Sequence, residues 1–158
     1  MSVDVFLKIK GIEGESADAA HKNEIDVLSY SWGLSQTGTM SYGGGGGAGK
    51  ANFGDFNFMM RMNKATPKLM NACATGEHIP DAILSCRKAG GKQLDYMVYK
   101  FYDLLISSYQ TSASSEEPTE SISFNYSKME MLYKVQDAKG QLTNGPEFKY
   151  NIKENKVF

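Results

Sequence analysis

The stretch GGGGGAGK, Gly43 to Lys50, is where this chain comes nearest to a chemical motif. Gly44 and Gly49-Lys50 fit the G-x-x-x-x-G-K of a phosphate-binding loop, in which backbone N–H groups cradle phosphate and the lysine reaches its outer oxygens. Two features count against that reading. The next residue is Ala51, so the hydroxyl that would hold Mg²⁺ is missing. The residues beyond alternate like a strand, so no helix N-terminus follows to face phosphate. His21, His78, Cys73 and Cys86 are the only His and Cys residues. Cys73 and His78 stand five apart across a helix end, and no other pair has ligand-like spacing. They read as two structural cysteines, small buried hydrophobes in a reducing compartment, and two surface histidines. A Cys–His nucleophile pair stays open, because its members need meet only in space. Glu116-Glu117 lies in a Ser-rich segment and reads as a solvated turn. No catalytic residue, cofactor or metal is expected.

The elements that would position these residues are β-type. Val3, Val5, Leu7 and Ile9 alternate with Asp4, Phe6, Lys8 and Lys10, the pattern of a half-buried strand. Gly11 to His21 is a small, polar loop. Glu24 to Ser35 predicts one strand with Leu28, Tyr30, Trp32 and Leu34 on one face, Trp32 in the core. Phe56, Phe58, Met60 and Met62 mark another. Thr66-Pro67 predicts the N-cap and first position of one short helix with an apolar stripe of Leu69, Met70, Ala72 and Cys73, stopped by Gly76. Ile79 to Lys88 is a strand, Ala89 to Lys92 a hairpin turn. Leu94 to Tyr109 is too long for one straight strand and predicts a bend or bulge. Ser112 to Thr119 is a loop. One strand is expected from Ser121 to about Tyr133, a polar turn region from Val135 to Pro146, and a closing strand from Phe148 to Ile152. Strands joined by turns define an antiparallel β-barrel or sandwich, with a single flanking helix at about 66–75 and one domain over 1–158.

Bulk composition narrows the function. The chain has 158 residues, 41% of them hydrophobic, and a net charge of −1. That balance gives no electrostatic reason to bind nucleic acid or an anionic membrane, and it lets copies of the chain approach one another. The first ten residues carry Asp4, Lys8 and Lys10 inside the apolar stretch, so no signal peptide is expected. No run approaches the roughly 18 apolar residues of a membrane span.

The glycine run raises an energetic question. Ordering one residue's backbone costs roughly 1–2 kcal/mol, so ordering Gly43 to Gly49 costs on the order of 10 kcal/mol. A domain of this size has a total stability of about 5–15 kcal/mol. Either the loop at about 36–52 is idle, or a neighbouring molecule orders it with on the order of 400 Å² of apolar burial. Met40 and Tyr42 could anchor such burial.

Several segments, in order along nearly the whole chain, resemble the hemolysin-coregulated (Hcp) proteins: VDVFLKIKGIEGES (Val3–Ser16), His21 with EIDVLSYSWGLSQTG (Glu24–Gly38), the glycine run ending at Gly49-Lys50, KATPKLMNAC (Lys64–Cys73) with Gly76, RKAGG (Arg87–Gly91), LLISSY (Leu104–Tyr109) and ESISFNYSKMEMLY (Glu120–Tyr133). The loop Ser112 to Thr119 is short for the group. The resemblance implies a structural subunit of the type VI secretion inner tube. Such a subunit closes into a homohexamer, and the rings stack into a hollow tube inside a contractile sheath, under a spike, with effector proteins in the lumen. It is cytoplasmic before firing and then exported. Tail-tube subunits of contractile phages share the fold. The chain ends at Phe158, six residues past Ile152, and no enzymatic extension is expected. The self-assembly residues are expected to be Met40, Tyr42, Gly43, Gly44, Gly45, Gly46, Gly47, Ala48, Gly49 and Lys50. The alternatives are a monomeric small-ligand carrier barrel and a hydrolase using Cys73 or Cys86.

Overall fold

The computed structural model describes residues 3–38, 50–88 and 94–158. The chain runs β1 (Val3–Ile9), β2 (Ile25–Asp26), β3 (Ser29–Ser31), β4 (Leu34–Gln36), β5 (Ala51–Phe53), β6 (Phe56–Arg61), α1 (Thr66–Thr75), β7 (His78–Lys88), β8 (Asp95–Ser112), β9 (Thr119–Asn125), β10 (Lys128–Gln136), β11 (Leu142–Asn151) and β12 (Lys156–Val157). Every strand pairing is antiparallel. One sheet runs β12-β11-β10-β8-β7-β1-β2, and β9, β6 and β3 continue it from the far half of β8. Strands β4 and β5 form a separate two-stranded sheet.

The long strand β8 makes this topology possible. Its first half pairs with β10 from Met97 to Tyr102, and its second half pairs with β9 from Leu105 to Ser112. The expected bend is there. Asp103 sits at φ 53°, and the β8–β9 register slips between Ile106 and Ser108. A positive φ and an extra residue both turn a strand sharply, so the sheet rolls over itself. The β7–β8 register also shifts near Arg87. The expected hairpin turn, Ala89 to Lys92, lies outside the described residues.

Four phenylalanines fill the roll: Phe56, Phe58, Phe101 and Phe124 are fully buried, with Phe56 5.0 Å from Phe101 and Phe124 5.1 Å from Phe101 between ring centroids. Helix α1 closes one side with Leu69 and Ala72. Met70 is exposed and Cys73 half-buried, so the apolar stripe is narrower than the spacing predicts. The helix begins at Thr66, but Thr66 is not its cap. The Thr66 hydroxyl donates to the buried Glu120 carboxylate at 2.5 Å, while Asn63 Oδ1 accepts from Ala65 N–H at 2.8 Å and Asn63 O from Thr66 N–H at 3.0 Å. Gly76 stops the helix in the left-handed region, as expected.

Three strand boundaries depart from the pattern. Glu24 to Ser35 is not one strand. It switches partners: Val27 N–H donates to Val5 O, the next residue, Leu28, donates to Met59 O, and Gly33 then leads out of the sheet. Residues 25–31 thus bridge β1 to β6, closing the roll through two short ladders, β1–β2 and β3–β6, rather than one continuous strand, and Leu28 and Leu34 stay exposed. Ser121 to Tyr133 is two strands, split at Tyr126-Ser127. The polar region 135–146 is mostly strand, with its turn at Asp137–Gln141. It reads as a turn because it holds Gly145-Pro146. These face the register slip between Leu132 and Lys134, where a proline without N–H is tolerated. Met62 lies beyond the end of β6 and is exposed.

Candidate functional site

The β4–β5 pair is the candidate assembly arm. Its register is Leu34↔Phe53, Ser35↔Asn52 and Gln36↔Ala51. Of the expected self-assembly residues, Met40, Tyr42, Gly43, Gly44, Gly45, Gly46, Gly47, Ala48 and Gly49 lie outside the described residues, and Lys50 is exposed beside Ala51. Leu34, Ser35, Gln36 and Asn52 are exposed on the arm.

An aromatic cluster anchors the base of the arm. Phe148 and Tyr150 face Met131 and Met129 across the ladder, which in turn face Tyr99 and Phe101, so all six side chains share one face. Phe53 of the arm stacks on this face, 5.0 Å from Tyr150 and 6.5 Å from Phe148. Trp32 lies 6.3 Å from Phe53 and 5.9 Å from Tyr99. Trp32 is therefore half-buried at the edge of the core and serves the arm as much as the interior. Its indole N–H donates to the Tyr126 hydroxyl, which donates to Gly54 O at 2.9 Å. Gly54 N–H donates to Gly33 O at 2.9 Å. Burial pushes the Tyr126 phenol up to about 12, so it keeps the proton it donates. The sequence signals for this base are the 148/150 aromatic alternation and Gly33/Gly54 at the two ends of the arm. Sequence reasoning missed Phe53, Tyr126, Phe148 and Tyr150 as its parts.

A second polar cluster surrounds Phe6. This ring is buried although it points away from Val5, Leu7 and Ile9, because the loop after β1 folds over it. His21 stacks on it at 4.4 Å, and the Arg87 guanidinium sits 4.9 Å from its centre. His21 is thus buried, which corrects the expectation of two surface histidines; His78 is exposed. A loop rich in small polar residues reads as open, yet Gly14 N–H donates to Asn23 O at 2.8 Å and Ser16 N–H to Glu24 O at 3.0 Å, which carries His21 onto the sheet. Nδ1 of His21 lies 3.0 Å from Glu24 Oε2, and Nε2 lies 3.0 Å from Asp95 Oδ1. Burial opposes its charge, but the bonds to Asp95 and Glu24 outweigh burial and raise the His21 pKa. Arg87 pairs with Asp18 through Nη1 and Nη2, and this pairing chiefly holds the Asp18 carboxyl below the usual range.

Cys86 is buried, and burial pushes its thiol up to about 11. Glu116 and Glu117 are exposed, as the solvated-turn reading has it. Among the described residues, no three His, Cys, Asp or Glu side chains converge on a possible metal position. No helix there is long and apolar enough to cross a membrane.

A rolled antiparallel sheet with one packed helix and a separate two-stranded arm is a mainly β architecture. The chain belongs to the Hcp family: the model of the type VI secretion system effector Hcp matches residues 6–133. It is 45% identical to Protein hcp1 of Pseudomonas aeruginosa over 98% of both chains. The fold matches Hcp1 from Salmonella typhimurium with a TM-score of 0.82 at 37% identity, covering 100% of each chain. It matches a further structure, of a type six secretion system protein, with a TM-score of 0.92 at 30% identity, covering 99% of this chain and 100% of that one.

Proposed function

We propose that this protein is the repeating subunit of a type VI secretion inner tube, closing into six-membered rings that stack. The observation that carries the reading is the arm: β4 and β5 pair only with each other among the described residues, outside the main sheet, and expose Leu34 at the rim. A two-stranded ribbon by itself is marginally stable in water and gains from pairing or packing with a neighbour. The residues expected to make that contact are Met40, Tyr42, the run Gly43 to Gly49, and Lys50. Ring closure requires a heterologous interface, since each copy must offer two complementary surfaces. The proposed partners are copies of itself, the sheath around the tube, the spike above it and effector proteins in the lumen.

The other two readings fare worse. A small-ligand carrier needs an enclosed apolar cavity. Here phenylalanine side chains occupy the middle of the roll, and a surface cleft of about 460 Å³ is lined by Lys8, Lys10, Lys22, Glu24 and Asp81. A hydrolase using Cys86 needs its thiolate, and a thiol with a pKa of about 11 is ionised only to about one part in 10⁴ at pH 7.

Deletion of Gly43 to Gly49 tests the assembly role. Native mass spectrometry and electron microscopy should show an intact fold with weakened stacking or ring closure. Normal tubes from the deleted chain would make the loop idle. A solitary 17.4 kDa species of the unaltered protein under all conditions would remove the tube reading altogether.

A further inference from the structure

The arm and the body are separate sheets, so something other than a strand ladder must set the angle between them. Two side-chain hydrogen bonds across this junction meet at Tyr126, and the Ser107 hydroxyl adds one to Asp55, beside Gly54, at 2.6 Å. This residue sits at the corner between β9 and β10, its ring 4.9 Å from Phe101, and is nearly fully buried. Its hydroxyl accepts from the Trp32 indole and donates to Gly54 O. Gly54 N–H then reaches Gly33 O, one residue from Trp32. The result is a closed circuit, 32 to 126 to 54 to 33, that ties both ends of the arm to one phenol.

A hydroxyl can accept and donate at once, and no other group of this size on an aromatic ring does both. Removing it leaves the Trp32 N–H and the Gly54 carbonyl without their partner, while the ring still packs on Phe101. Gly54 is constrained as well: a Cβ there would meet Gly33 O at 3.1 Å, so a side chain fits only if that carbonyl gives by a few tenths of an ångström.

We propose that Tyr126 is the latch that fixes the direction of the β4–β5 arm, and that this direction determines whether the arm can engage a second copy of the chain. The second half of this proposal rests on the assembly role argued above; the first half does not. Tyr126 acts as a positioning residue, since it holds Trp32 and Gly54 rather than touching the second copy.

Tyr126→Phe, in the full chain, is the test. Trp32 is the only tryptophan, so its emission reports the junction directly. The expected results are a shifted Trp32 emission, at least about tenfold faster hydrogen exchange at Gly54 N–H, and an unchanged circular dichroism spectrum. The concentration needed for stacked assemblies should rise about tenfold, which is ~1.4 kcal/mol. Gly54→Ala strains the same junction with Tyr126 intact and should reproduce the exchange and assembly changes, so the test does not hang on one variant. Unchanged emission and unchanged Gly54 exchange in Tyr126→Phe overturn the latch. A loosened junction with undiminished stacking overturns its role in assembly. The Gly43 to Gly49 deletion separates the two readings. If deletion abolishes stacking and Tyr126→Phe loosens the junction without changing stacking, the assembly reading stands and the direction of the arm does not govern engagement. If deletion has no effect, the assembly reading fails first, and the emission and exchange data still decide whether Tyr126 holds the arm.

Discussion

Raising the pH from 6 to 9 should weaken this protein through a single side chain, His21. Both ring nitrogens face carboxylate oxygens at 3.0 Å. A neutral imidazole has one N–H, so it can donate to Glu24 or to Asp95 but not to both. The bracketing acids therefore call for the imidazolium. A hydrogen bond to a charged group contributes about 1.5–3 kcal/mol, and Asp95, whose side chain is 31% exposed, sits at the low end because water screens it. The folded pKa is raised, so the stabilisation is complete below the unfolded value of about 6.5 and is lost as pH climbs through the folded one. Asp18 is held low by Arg87. Asp26 is raised, first by burial and then by Asp18 and Asp4, but from 3.8. Cys86 ionises at about 11, above the window. The expected loss is about 1.5–2 kcal/mol, and with a urea slope of about 2 kcal/mol per M the midpoint should fall by ~0.75–1 M. Urea titrations followed by Trp32 emission at one fixed protein concentration measure it, since assembly itself shifts apparent stability. His21→Phe keeps a ring over Phe6 but abandons both carboxylates. It should cost about 2–4 kcal/mol at pH 6 and show no loss between pH 6 and 9. A wild-type midpoint that stays put across this range, or a variant with the wild-type slope, refutes the bracket.

Three further perturbations have defined outcomes. Gly14→Ala would put a Cβ 2.5 Å from Glu24 O and 2.7 Å from the Ile25 Cα, and backbone cannot rotate away. It should destabilise by about 1–3 kcal/mol and lower the melting temperature by several degrees in scanning calorimetry. Asp18→Asn should flatten the acid limb: the wild-type contribution is present above pH 3.8 and lost as pH falls through the lowered folded value, so only the wild type should lose it in an acid titration by circular dichroism. Thr66→Val removes one donor to Glu120, which is 1% exposed and keeps its bond from Tyr109. A loss of about 1–3 kcal/mol is expected in urea unfolding, and Glu120→Gln in the same background should recover part of it.

The sequence by itself determined the β class, the helix at 66–75 and its glycine stop, the bend in the long strand and the family. Each of these is a local matter. Alternation needs two faces, a left-handed helix end needs glycine, and eighteen extended residues cannot stay straight in a rolled sheet. What tertiary structure decided were the places where alternation is equally compatible with two partners. Leu28, Tyr30, Trp32 and Leu34 keep one period although only Tyr30 and Leu34 lie in strands, and those two strands, β3 and β4, belong to different sheets, because period records the pleat and not which neighbour is paired. Phe6 and His21 look outward in the sequence and are buried, since what covers an outward face is a loop held by backbone hydrogen bonds that leave no compositional trace. Tyr126 reads as one more core aromatic. Only the meeting of residues 32, 54 and 126, far apart along the chain, gives its hydroxyl two partners and the arm a fixed base.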